Sequence, residues 1–412
     1  MKIAVVGSGI SGLVCAYLLG RSHEVKLFEA SNKAGGHVHT VDAQGGNGSH
    51  RVDMGFIVFN ETNYPGFCKL LEKLDVGYKT SRMGFSVSDK TSNIEYSGES
   101  FRGLFGSVRN ITDPYHYKMV VDILKFHKLA NTRNLKESET IEEFVTRYNF
   151  GHRFQSHYLF PLGSALWSCP ENSFSSFPME FVVDFFSNHK MLQIKGRPVW
   201  RVIEGGSSTY VEKIVKILGN RIVLNTPVLK VSRNRKFIEV VSQNGIETYD
   251  EAILACHANQ SLRLLQYPTK EEEDALKCFP YEQNQVLLHT DSKVLPKRKS
   301  AWASWNAKSQ HQADVKSTVT YNMNILQGIN DKINFCVSLN QTDLVDSNKH
   351  IQEEFFEHPM YTTNRKNVQS NHRNFIRNNG ISLCGAYWGY GFHEDGLQSA
   401  LRVSKEFGEE LR

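Results

Sequence analysis

The chain contains 412 residues, of which 40% are hydrophobic and 22% charged, and it carries a formal net charge of +5. This composition is typical of a globular protein, and the length predicts two interleaved domains rather than one simple core. Lys and Arg do not occur in long runs, which argues against a nucleic-acid partner.

The cysteines and the apolar segments indicate the compartment. Seven cysteines are scattered along the chain without a CxxC pair, a pattern that predicts reduced thiols rather than a disulfide framework. No stretch approaches the roughly 20 apolar residues of a membrane-spanning helix, and the first residues lack a signal-peptide cleavage pattern. We therefore expect a cytoplasmic protein, at most peripherally attached to the inner face of the membrane.

The first 29 residues predict a strand, a glycine-rich turn, a helix and a second strand. Residues 3–6 are all apolar, residues 7–12 read Gly-Ser-Gly-Ile-Ser-Gly, residues 13–19 have a helical apolar pattern, and residues 24–29 form a strand that ends in an acid. This order of elements is that of a dinucleotide-binding unit.

Each residue type in this unit has a physical role. Gly7 permits a tight turn, Gly9 lets the backbone approach a pyrophosphate, and Gly12 lets helix and strand pack closely. The pyrophosphate would then lie at the positive end of the helix dipole. Glu29 is placed to accept hydrogen bonds from ribose hydroxyls and would repel a 2′-phosphate, so the pattern argues against NADP.

Two further glycine elements carry a resemblance to a known superfamily. Gly35 and Gly36 follow the acid, and an Asp-x-Gly element occurs at Asp53 and Gly55. Here the sequence resembles the flavin amine oxidases and carotenoid desaturases, in which a glycine doublet and a D-x-G element lead into the flavin site. The resemblance continues at residues 201–206, a second Gly-Gly before a helix, and at residues 224–228, expected to be a strand that meets the adenine. The resemblance implies that the bound dinucleotide is FAD rather than NAD.

The glycine doublet is followed by a His-x-His pair, His37 and His39, where amine oxidases usually carry Arg. Such a pair can ligate a metal ion, but no carboxylate or thiol partner is near in the sequence. We predict no metal. Contact with the phosphate or the flavin and plain packing remain the alternatives for these histidines.

The C-terminal segment extends the resemblance to the end of the chain. Residues 381–385 predict a strand that ends in Gly385, and an aromatic, glycine-containing turn then leads into a helix from about residue 393. A helix N-terminus directed at the flavin would stabilise negative charge on the reduced ring. Tyr387, Trp388, Tyr390, Phe392 and His393 are expected near the flavin edge, with packing as the alternative.

Within the superfamily, residues 52–60 and 384–395 are typical of a group described as predicted NAD/FAD-binding oxidoreductases. Members of that group are associated with cyclopropane- or methyl-fatty-acyl synthases, which implies fatty-acyl modification. The segment departs from amine oxidases, which place Tyr where Phe392 stands.

These observations give two sets of candidate site residues. The residues expected to touch substrate are Tyr390, Phe392 and His393. Those expected to bind FAD are Gly7, Gly9, Ile10, Ser11, Gly12, Glu29, Ala30, Gly35, Gly36, His37, Asp53, Gly55, Phe56, Val228, Gly385, Glu394, Asp395, Gly396 and Leu397.

The expected fold is α/β, with a discontinuous Rossmann-like FAD-binding domain and an α+β substrate domain that carries an antiparallel sheet. The FAD-binding domain takes residues 1–56, 198–260 and 375–412. The substrate domain takes residues 57–197, largely helical, and 261–374, where strands are predicted at 285–290, 317–324 and 333–339.

Three apolar features have two interpretations each. Met119, Val120, Ile123, Leu124 and His127 share one helical face, which is either a membrane-surface helix or a core-facing one. A phenylalanine cluster at residues 174–186 either lines a tunnel for a long substrate or packs the domain. Trp302 and Trp305 either roof the site or pack the core.

The predicted function is an FAD-dependent oxidoreductase that acts on a hydrophobic or lipid substrate. A fatty acyl chain would be dehydrogenated or its double bond isomerised, with hydride transfer to flavin N5. A flavin amine oxidase and a non-catalytic, redox-responsive flavoprotein remain as alternatives. Oxygen, a quinone and an electron-transfer protein all remain open as the electron acceptor. Besides its substrate, the protein is expected to make at most peripheral contact with a membrane.

Overall fold

A computed structural model describes residues 1–105, 107–136, 138–193, 196–309, 318–360, 362 and 364–412. Two sheets organise these residues, one parallel and one mostly antiparallel, with helices packed on both. The α/β fold class expected from the sequence is confirmed.

The parallel sheet is centred on the strand Lys2–Val6, which pairs with Glu24–Phe28 on one side and with Glu251–Leu254 on the other. Ile222–Val223 and Ile381–Leu383 extend the sheet at its two edges. Residues 3–6 of the central strand are all apolar and buried, as is usual for a strand that is covered on both faces of a parallel sheet.

The first and last helices of the chain lie together on this sheet. Ile10–Leu19 packs along His393–Lys405, and the Ser11 hydroxyl donates to the Gly396 carbonyl over 2.8 Å. A Cβ on Gly396 would come within 2.7 Å of the Ile10 side chain. The close approach of the two helices brings the C-terminal turn beside the glycine-rich turn.

The strands of the parallel sheet lie in three separated parts of the sequence. They come from residues 2–28, 222–254 and 381–383. Each of these parts falls inside one of the segments that we assign to the FAD-binding domain, residues 1–56, 198–260 and 375–412. The strands are therefore brought together across the two long insertions.

An antiparallel sheet of Val228–Arg233, Ile238–Ser242 and Gly245–Tyr249 packs beside the parallel sheet. The hairpin expected at the Asn-Gly pair is present, one residue earlier: Gln243 and Asn244 form its turn, and Gly245, with a φ of +123°, starts the next strand.

The expected strand at residues 224–228 is wrong. The parallel strand ends at Val223, Asn225 adopts a φ of +49°, and the next strand starts only at Val228. Pro227 has no N–H to donate to a ladder, which favours a turn here. Thr226 donates from its backbone to the Glu29 carbonyl over 2.8 Å, so the turn is fixed beside the acid.

The large sheet crosses the second insertion and also takes strands from the first. Its central pairings are antiparallel, and Trp305–Lys308 pairs in parallel with Phe85–Asp89. In order, its strands are His350–Pro359, Tyr281–His289, Cys336–Leu339, Val319–Asn322, Trp305–Lys308, Phe85–Asp89 and Ile94–Ser97. The antiparallel sheet predicted for the substrate domain is therefore present, with the first insertion completing it.

Smaller ladders connect the sheets. Thr40–Gly45 forms a hairpin with Gly48–Asp53, and Trp200–Ile203 pairs with Val58–Asn60 and Tyr78–Ser81.

The helices cover the parallel sheet and form a separate lobe from the first insertion. In that lobe a core of buried aromatic rings surrounds Trp167, which lies 5.0 Å from Phe185 and 5.7 Å from Phe174, centroid to centroid. In chain order the α-helices are Ile10–Leu19, Pro65–Lys73, Phe101–Phe105, Val108–Thr112, Pro114–Asn131, Ile141–Arg147, His152–Phe154, Phe160–Trp167, Glu171–Ser175, Met179–Asn188, Ser208–Leu218, Ala258–Leu264, Lys270–Lys277, Met323–Leu326, Arg365–Ser370 and His393–Lys405.

One helix of this lobe contains a π-helical turn. Gln155–Leu159 joins His152–Phe154 to Phe160–Trp167 without a break. Such turns often accompany functional sites because they redirect side chains. Across the residues described above, no helix has both the length and the apolar character needed to span a bilayer.

Candidate active site

A single cavity of about 2170 Å³ extends from the glycine-rich turn, past the C-terminal turn, into the helical lobe. Sites for one small ligand usually enclose about 300–1,000 Å³. The cavity therefore has room for a dinucleotide and for a second molecule beside it.

The three glycines of the first turn have different surroundings. A Cβ on Gly7 would lie 2.9 Å from the Ala255 carbonyl oxygen, and a Cβ on Gly12 would overlap the Gly7 carbonyl oxygen. At Gly9 a Cβ would meet no described atom within 4 Å, because this residue faces the cavity. Gly7 and Gly12 are therefore required by the fold, whereas Gly9 leaves space for a ligand.

Glu29 is fixed at the edge of this turn. Its carboxylate accepts from the Ser8 backbone over 2.9 Å and from the Ser31 backbone over 2.8 Å. The side chain remains partly exposed on the cavity wall, next to the exposed Ala30. This is the position at which an acid can also accept from a ribose.

The glycine doublet packs onto the first turn. Gly35 donates to the Ser8 carbonyl over 3.0 Å, and a Cβ on Gly36 would lie 2.9 Å from the Gly9 Cα. Gly36 has a φ of +59°, which glycine adopts without strain. The two glycine loops together form one side-chain-free cradle on the cavity wall.

His37 follows the cradle and is a neutral ring. Its Nε2 lies 3.0 Å from the Glu357 carbonyl, which can only accept, so Nε2 carries the proton. Burial lowers the pKa of His37 well below its usual value, and the neighbouring His257 and His358 lower it further. A neutral His37 does not replace the charge of an arginine.

Asp53, an expected cofactor-binding residue, does not line the cavity. It is fully buried and accepts from Thr40 Oγ1 over 2.6 Å, from the Ser207 backbone over 2.8 Å and from Gln327 Nε2 over 2.9 Å. Burial raises the pKa of Asp53 to about 6. The carboxylate joins a hairpin, the start of the helix Ser208–Leu218 and the end of the helix Met323–Leu326, and so supports the wall from behind.

Four residues of the last helix also lie behind the wall rather than on it. Glu394 accepts from the backbones of Gly66 and Phe67, over 3.0 and 2.9 Å, and so caps the helix Pro65–Lys73. Asp395 accepts from the Phe392 backbone over 2.9 Å. The residues of this segment that were expected to touch FAD but do not line the cavity are Glu394, Asp395, Gly396 and Leu397.

Gly12 is the remaining expected FAD contact that is absent from the wall, for the packing reason given above. The other expected contacts do line the cavity: Gly7, Gly9, Ile10, Ser11, Glu29, Ala30, Gly35, Gly36, His37, Gly55, Phe56, Val228 and Gly385.

The expected substrate contacts Tyr390, Phe392 and His393 all lie on the wall, in different environments. Phe392 stacks on Phe185 with centroids 4.9 Å apart, and Tyr390 stacks on Phe181 at 5.4 Å. These two rings join the C-terminal turn to the helix Met179–Asn188.

His393 is nearly buried and hydrogen-bonded within the fold. Its Nε2 lies 2.7 Å from the Tyr210 hydroxyl, and burial lowers the pKa of His393 to about 3. The ring is therefore neutral at physiological pH, and its environment favours a positioning role over proton transfer.

Trp388 packs away from the cavity, whereas Tyr387 belongs to the cavity wall and its ring also packs in the core. Trp388 stacks on His372 at 4.2 Å, and Tyr387 lies 5.1 Å from Phe279. Both rings are buried, which is the packing alternative for this part of the aromatic turn.

Beyond Phe392 the cavity continues as a distal arm between the helical lobe and the large sheet. On the helical side the sequence pointed to part of the lining, since Val120, Ile123, Leu124 and His127 lie on the wall while Met119 is buried in the core. That helical face therefore lines the cavity, and Leu124 on it is also 49% exposed at the surface. Of the phenylalanine cluster, only Phe185 reaches the wall.

Other lining residues carried no signal in the sequence. On the helical side they lie in or just after the π-helical turn, and on the sheet side they come from strands and a short helix that are far apart in the chain. Trp305 lies on the wall and Trp302 does not. The lining residues that the sequence did not indicate include Tyr158, Leu162, Leu166, Val286, Tyr321, Leu326 and Leu339.

The titratable groups inside the distal arm are neutral at physiological pH. His127 Nε2 lies 3.2 Å from the Tyr158 hydroxyl, and burial lowers the pKa of His127 to about 4. Burial likewise lowers the pKa of His189 to about 4 and raises that of Tyr158 to about 12. Charged side chains occur near the opening, where Arg82 donates from Nε to Glu99 over 2.9 Å and Arg197 is exposed.

The residues at the near end of the cavity fit FAD. The side-chain-free cradle of Gly9 and Gly36 leaves the approach that a pyrophosphate requires, and the helix Ile10–Leu19 starts there without a side-chain cap. Glu29 offers carboxylate oxygens to a ribose. Across the described residues, no group of three or more His, Cys, Asp or Glu is arranged to hold a metal ion.

Comparisons with known proteins agree with this site. The chain is 25% identical over 288 residues to an L-amino acid dehydrogenase from Synechocystis sp.; the match covers 64% of this chain and 57% of that protein. It therefore spans little more than half of that curated relative.

Solved structures share the fold over nearly the whole chain. A cyclohexylamine oxidase from Brevibacterium oxydans IH-35A superposes with a TM-score of 0.70 at 12% identity, covering 99% of both chains. A fatty acid isomerase from P. acnes that produces CLA superposes with a TM-score of 0.67 at 13% identity, covering 98% of both chains.

Residues 10–328, more than three quarters of the chain, match the family described as flavin containing amine oxidoreductases. The cofactor of that family is the FAD for which the near end of the cavity is shaped. The chain belongs to the flavin containing amine oxidoreductase family.

Proposed function

We propose that this protein is an FAD-dependent oxidoreductase that dehydrogenates a long acyl chain or moves a double bond within it. The observation that carries this proposal is the apolar distal arm, which runs from Phe392 to the helix Pro114–Asn131. A long, neutral arm of this kind suits a hydrocarbon chain, whose burial is favourable by about 0.8 kcal/mol per methylene.

The lining supports a hydrocarbon over a charged substrate. Leu162, Leu326 and Leu339 offer only carbon to the arm, and Tyr158 and His127 satisfy each other there. Burying a cation beside them would cost several kcal/mol without a paired charge. A free carboxylate or a phosphate of the substrate would instead remain at the opening, where Arg82 and Arg197 lie.

The protein and its cofactor would have separate roles in the reaction. Bound FAD supplies a redox centre that can accept a hydride. The two glycine loops and Glu29 would hold the dinucleotide, and Phe392 and Phe185 would orient the substrate and exclude water between the flavin region and the distal arm.

A fatty acid isomerase occurs among the proteins that share this fold. Its substrate class lends support to an acyl substrate here, although a similarity at 13% identity shows the fold alone. The apolar lining of the arm is the independent argument.

The test is anaerobic mixing of the purified protein with phospholipids that carry unsaturated or methyl-branched acyl chains, and then with a panel of amines. Flavin absorbance and product masses would be followed, with the Gly9→Val variant as the matched control without cofactor. We expect bleaching, or an isomerised lipid without bleaching, with lipid only. Bleaching with amines only, or no response to either class, would contradict the proposal.

Oxidation of an amine or amino acid is the second candidate. It is favoured by the similarity to an L-amino acid dehydrogenase and by an aromatic pair on the cavity wall. Trp305 and Tyr321 meet edge to face there, 5.0 Å apart with planes at 87°, and such a pair offers an apolar surface to an unprotonated amine. The amine panel distinguishes this candidate from the first.

A further inference from the structure

Apolar side chains are concentrated on one exposed surface of the helical lobe, formed by residues 101–105 and 107–128. Phe101 is 80% exposed, Val108 79%, Tyr115 66% and Val121 61%. Large apolar side chains scattered singly over a surface are normal, but a group of this kind marks an interaction site.

Ring contacts and a hydrogen bond connect Phe101 to the two helices that follow it in this patch. Phe105 lies 4.9 Å from Phe101 and 5.3 Å from Tyr117, centroid to centroid. The Tyr117 hydroxyl donates to the Ile111 carbonyl over 2.9 Å. Tyr117 and Val121 are four residues apart on the helix Pro114–Asn131 and so share a face.

The charge of this surface is positive. Its residues include Arg102, Arg109, Lys118, Lys125 and Lys128, against two aspartates. Both aspartates already have partners, because Asp113 pairs with Arg153 and Asp122 pairs with Lys118 and accepts from the Gly151 backbone. The arginines at 102 and 109 and the lysine at 128 are exposed.

The patch is continuous with the opening of the distal arm. Phe101 and Leu124 belong both to the exposed apolar set and to the cavity wall, as does Val199, which is 56% exposed. A molecule that moved from the patch into this opening would contact the apolar lining of the distal arm without crossing bulk water.

We propose that this surface docks on an anionic phospholipid bilayer and presents the opening of the distal arm to the acyl chains of the membrane. Aromatic and aliphatic side chains on short helices would enter the headgroup region, and the basic side chains around them would meet the lipid phosphates. Each Lys or Arg near such a surface contributes about 1 kcal/mol of attraction. This inference rests on the proposed function for its purpose, since it supplies the acyl substrate, but its test does not use turnover.

The charge pattern favours a bilayer over a protein partner or a second copy of the chain. A second copy would bring like charges together at Arg102, Arg109 and Lys128, which is unfavourable. An anionic bilayer is complementary to the same charges and to the apolar patch together.

The experiment is flotation of the purified flavoprotein with vesicles of phosphatidylcholine alone and of phosphatidylcholine with phosphatidylglycerol. We expect binding to the anionic vesicles, weakened by high salt, and little binding to the neutral ones. The double variant Val108→Glu, Val121→Glu, which changes two exposed side chains outside the cavity wall, should lower the bound fraction at least about tenfold, because two apolar contacts are lost and two negative charges are added.

The matched control is Tyr267→Glu, Ile246→Glu, which changes two equally exposed apolar side chains outside this surface. It should bind vesicles as the unchanged protein does. Flavin absorbance and the turnover of soluble short-chain substrate should be the same in all three proteins, which separates a failure of docking from a failure of the proposed function.

Three outcomes would overturn the proposal: no flotation with anionic vesicles, equal binding of the double variant and the control, or a molecular mass in solution that falls only in the double variant. The last result would assign the patch to an interface between copies of the chain.

Discussion

The imidazole of His393 stacks on the ring of Phe56, with centroids 3.8 Å apart and planes 8° apart. The contact joins the start of the last helix to the loop after the Asp-x-Gly element, across more than 300 residues of sequence. Phe56 lies on the cavity wall, so the position of this wall depends on a histidine that is held from behind by the Tyr210 hydroxyl.

The burial of His393 predicts a loss of stability in acid. Its folded-state pKa of about 3 lies below the unfolded value of 6.5, so the unfolded chain binds the proton first as the pH falls. The contribution of neutral His393 is complete above pH 6.5 and diminishes toward pH 3. Since one pKa unit corresponds to about 1.4 kcal/mol, this residue should account for up to about 3 kcal/mol between pH 6.5 and 4.

Urea unfolding at several pH values in this range would measure the effect. His393→Gln should be less stable than the unchanged protein at neutral pH, and the difference should shrink as the pH falls. His152→Gln, which changes an exposed histidine, is the control. Parallel stability curves for the unchanged protein and His393→Gln would refute the assignment.

Two glycine substitutions in the first turn should fail for different reasons. Gly9→Val places its side chain in open cavity space, so the fold should persist while the site of the pyrophosphate is filled. Gly12→Val overlaps the Gly7 carbonyl, so the protein should be destabilised by several kcal/mol or fail to fold, as in other overpacked sites where the cost is about 1–3 kcal/mol or more.

The measurement is the flavin absorbance of each purified variant together with its circular dichroism. We expect the Gly9→Val variant to be folded but colourless, because it lacks bound FAD. If Gly9→Val retained a full complement of FAD, the glycine cradle would not be the pyrophosphate site.

The near end of the cavity was predictable from sequence because its chemistry is local. Gly7, Gly9 and Glu29 lie within one strand–helix–strand unit, and the period of the apolar residues fixes their order in space. The resemblance to flavoproteins then extended this prediction to Gly35, Gly36 and Gly385, which lie on the same wall.

Side-chain direction was not predictable in the same way. Asp53 and Glu394 stand next to wall residues in the sequence, but each is turned away to hydrogen-bond partners more than 150 residues distant. The distal arm escaped prediction for a related reason. Leu162 and Tyr321 line the same cavity only because the helical lobe packs on the large sheet. No local sequence pattern encodes that packing.

Phe392 offers a test of the aromatic wall. Phe392→Ala should retain FAD, because the ring stacks on Phe185 rather than on the glycine cradle, and it should lower turnover at least about tenfold by admitting water and loosening the substrate. Stability should fall by about 1–3 kcal/mol, less than for a fully buried phenylalanine.

Phe392→Leu keeps most of the apolar volume and should recover most of the turnover. Steady-state rates on the substrate identified by anaerobic mixing would compare the three proteins. Unchanged activity in Phe392→Ala would remove the ring from the substrate site.

A bulky side chain in the distal arm should change the accepted chain length. Ile123 lies on the wall and belongs to the helix Pro114–Asn131, so Ile123→Trp should narrow the arm without touching the FAD cradle. We expect kcat/KM to fall at least about tenfold for a long acyl chain and to change little for a short one, since the lost burial is about 0.8 kcal/mol per methylene excluded.

Val121→Trp, on the exposed side of the same helix, is the matched control and should leave both rates unchanged with soluble free acids. Equal losses for long and short chains in Ile123→Trp would show that the substitution acts on the fold, and no loss for either would mean that the acyl chain does not enter the distal arm.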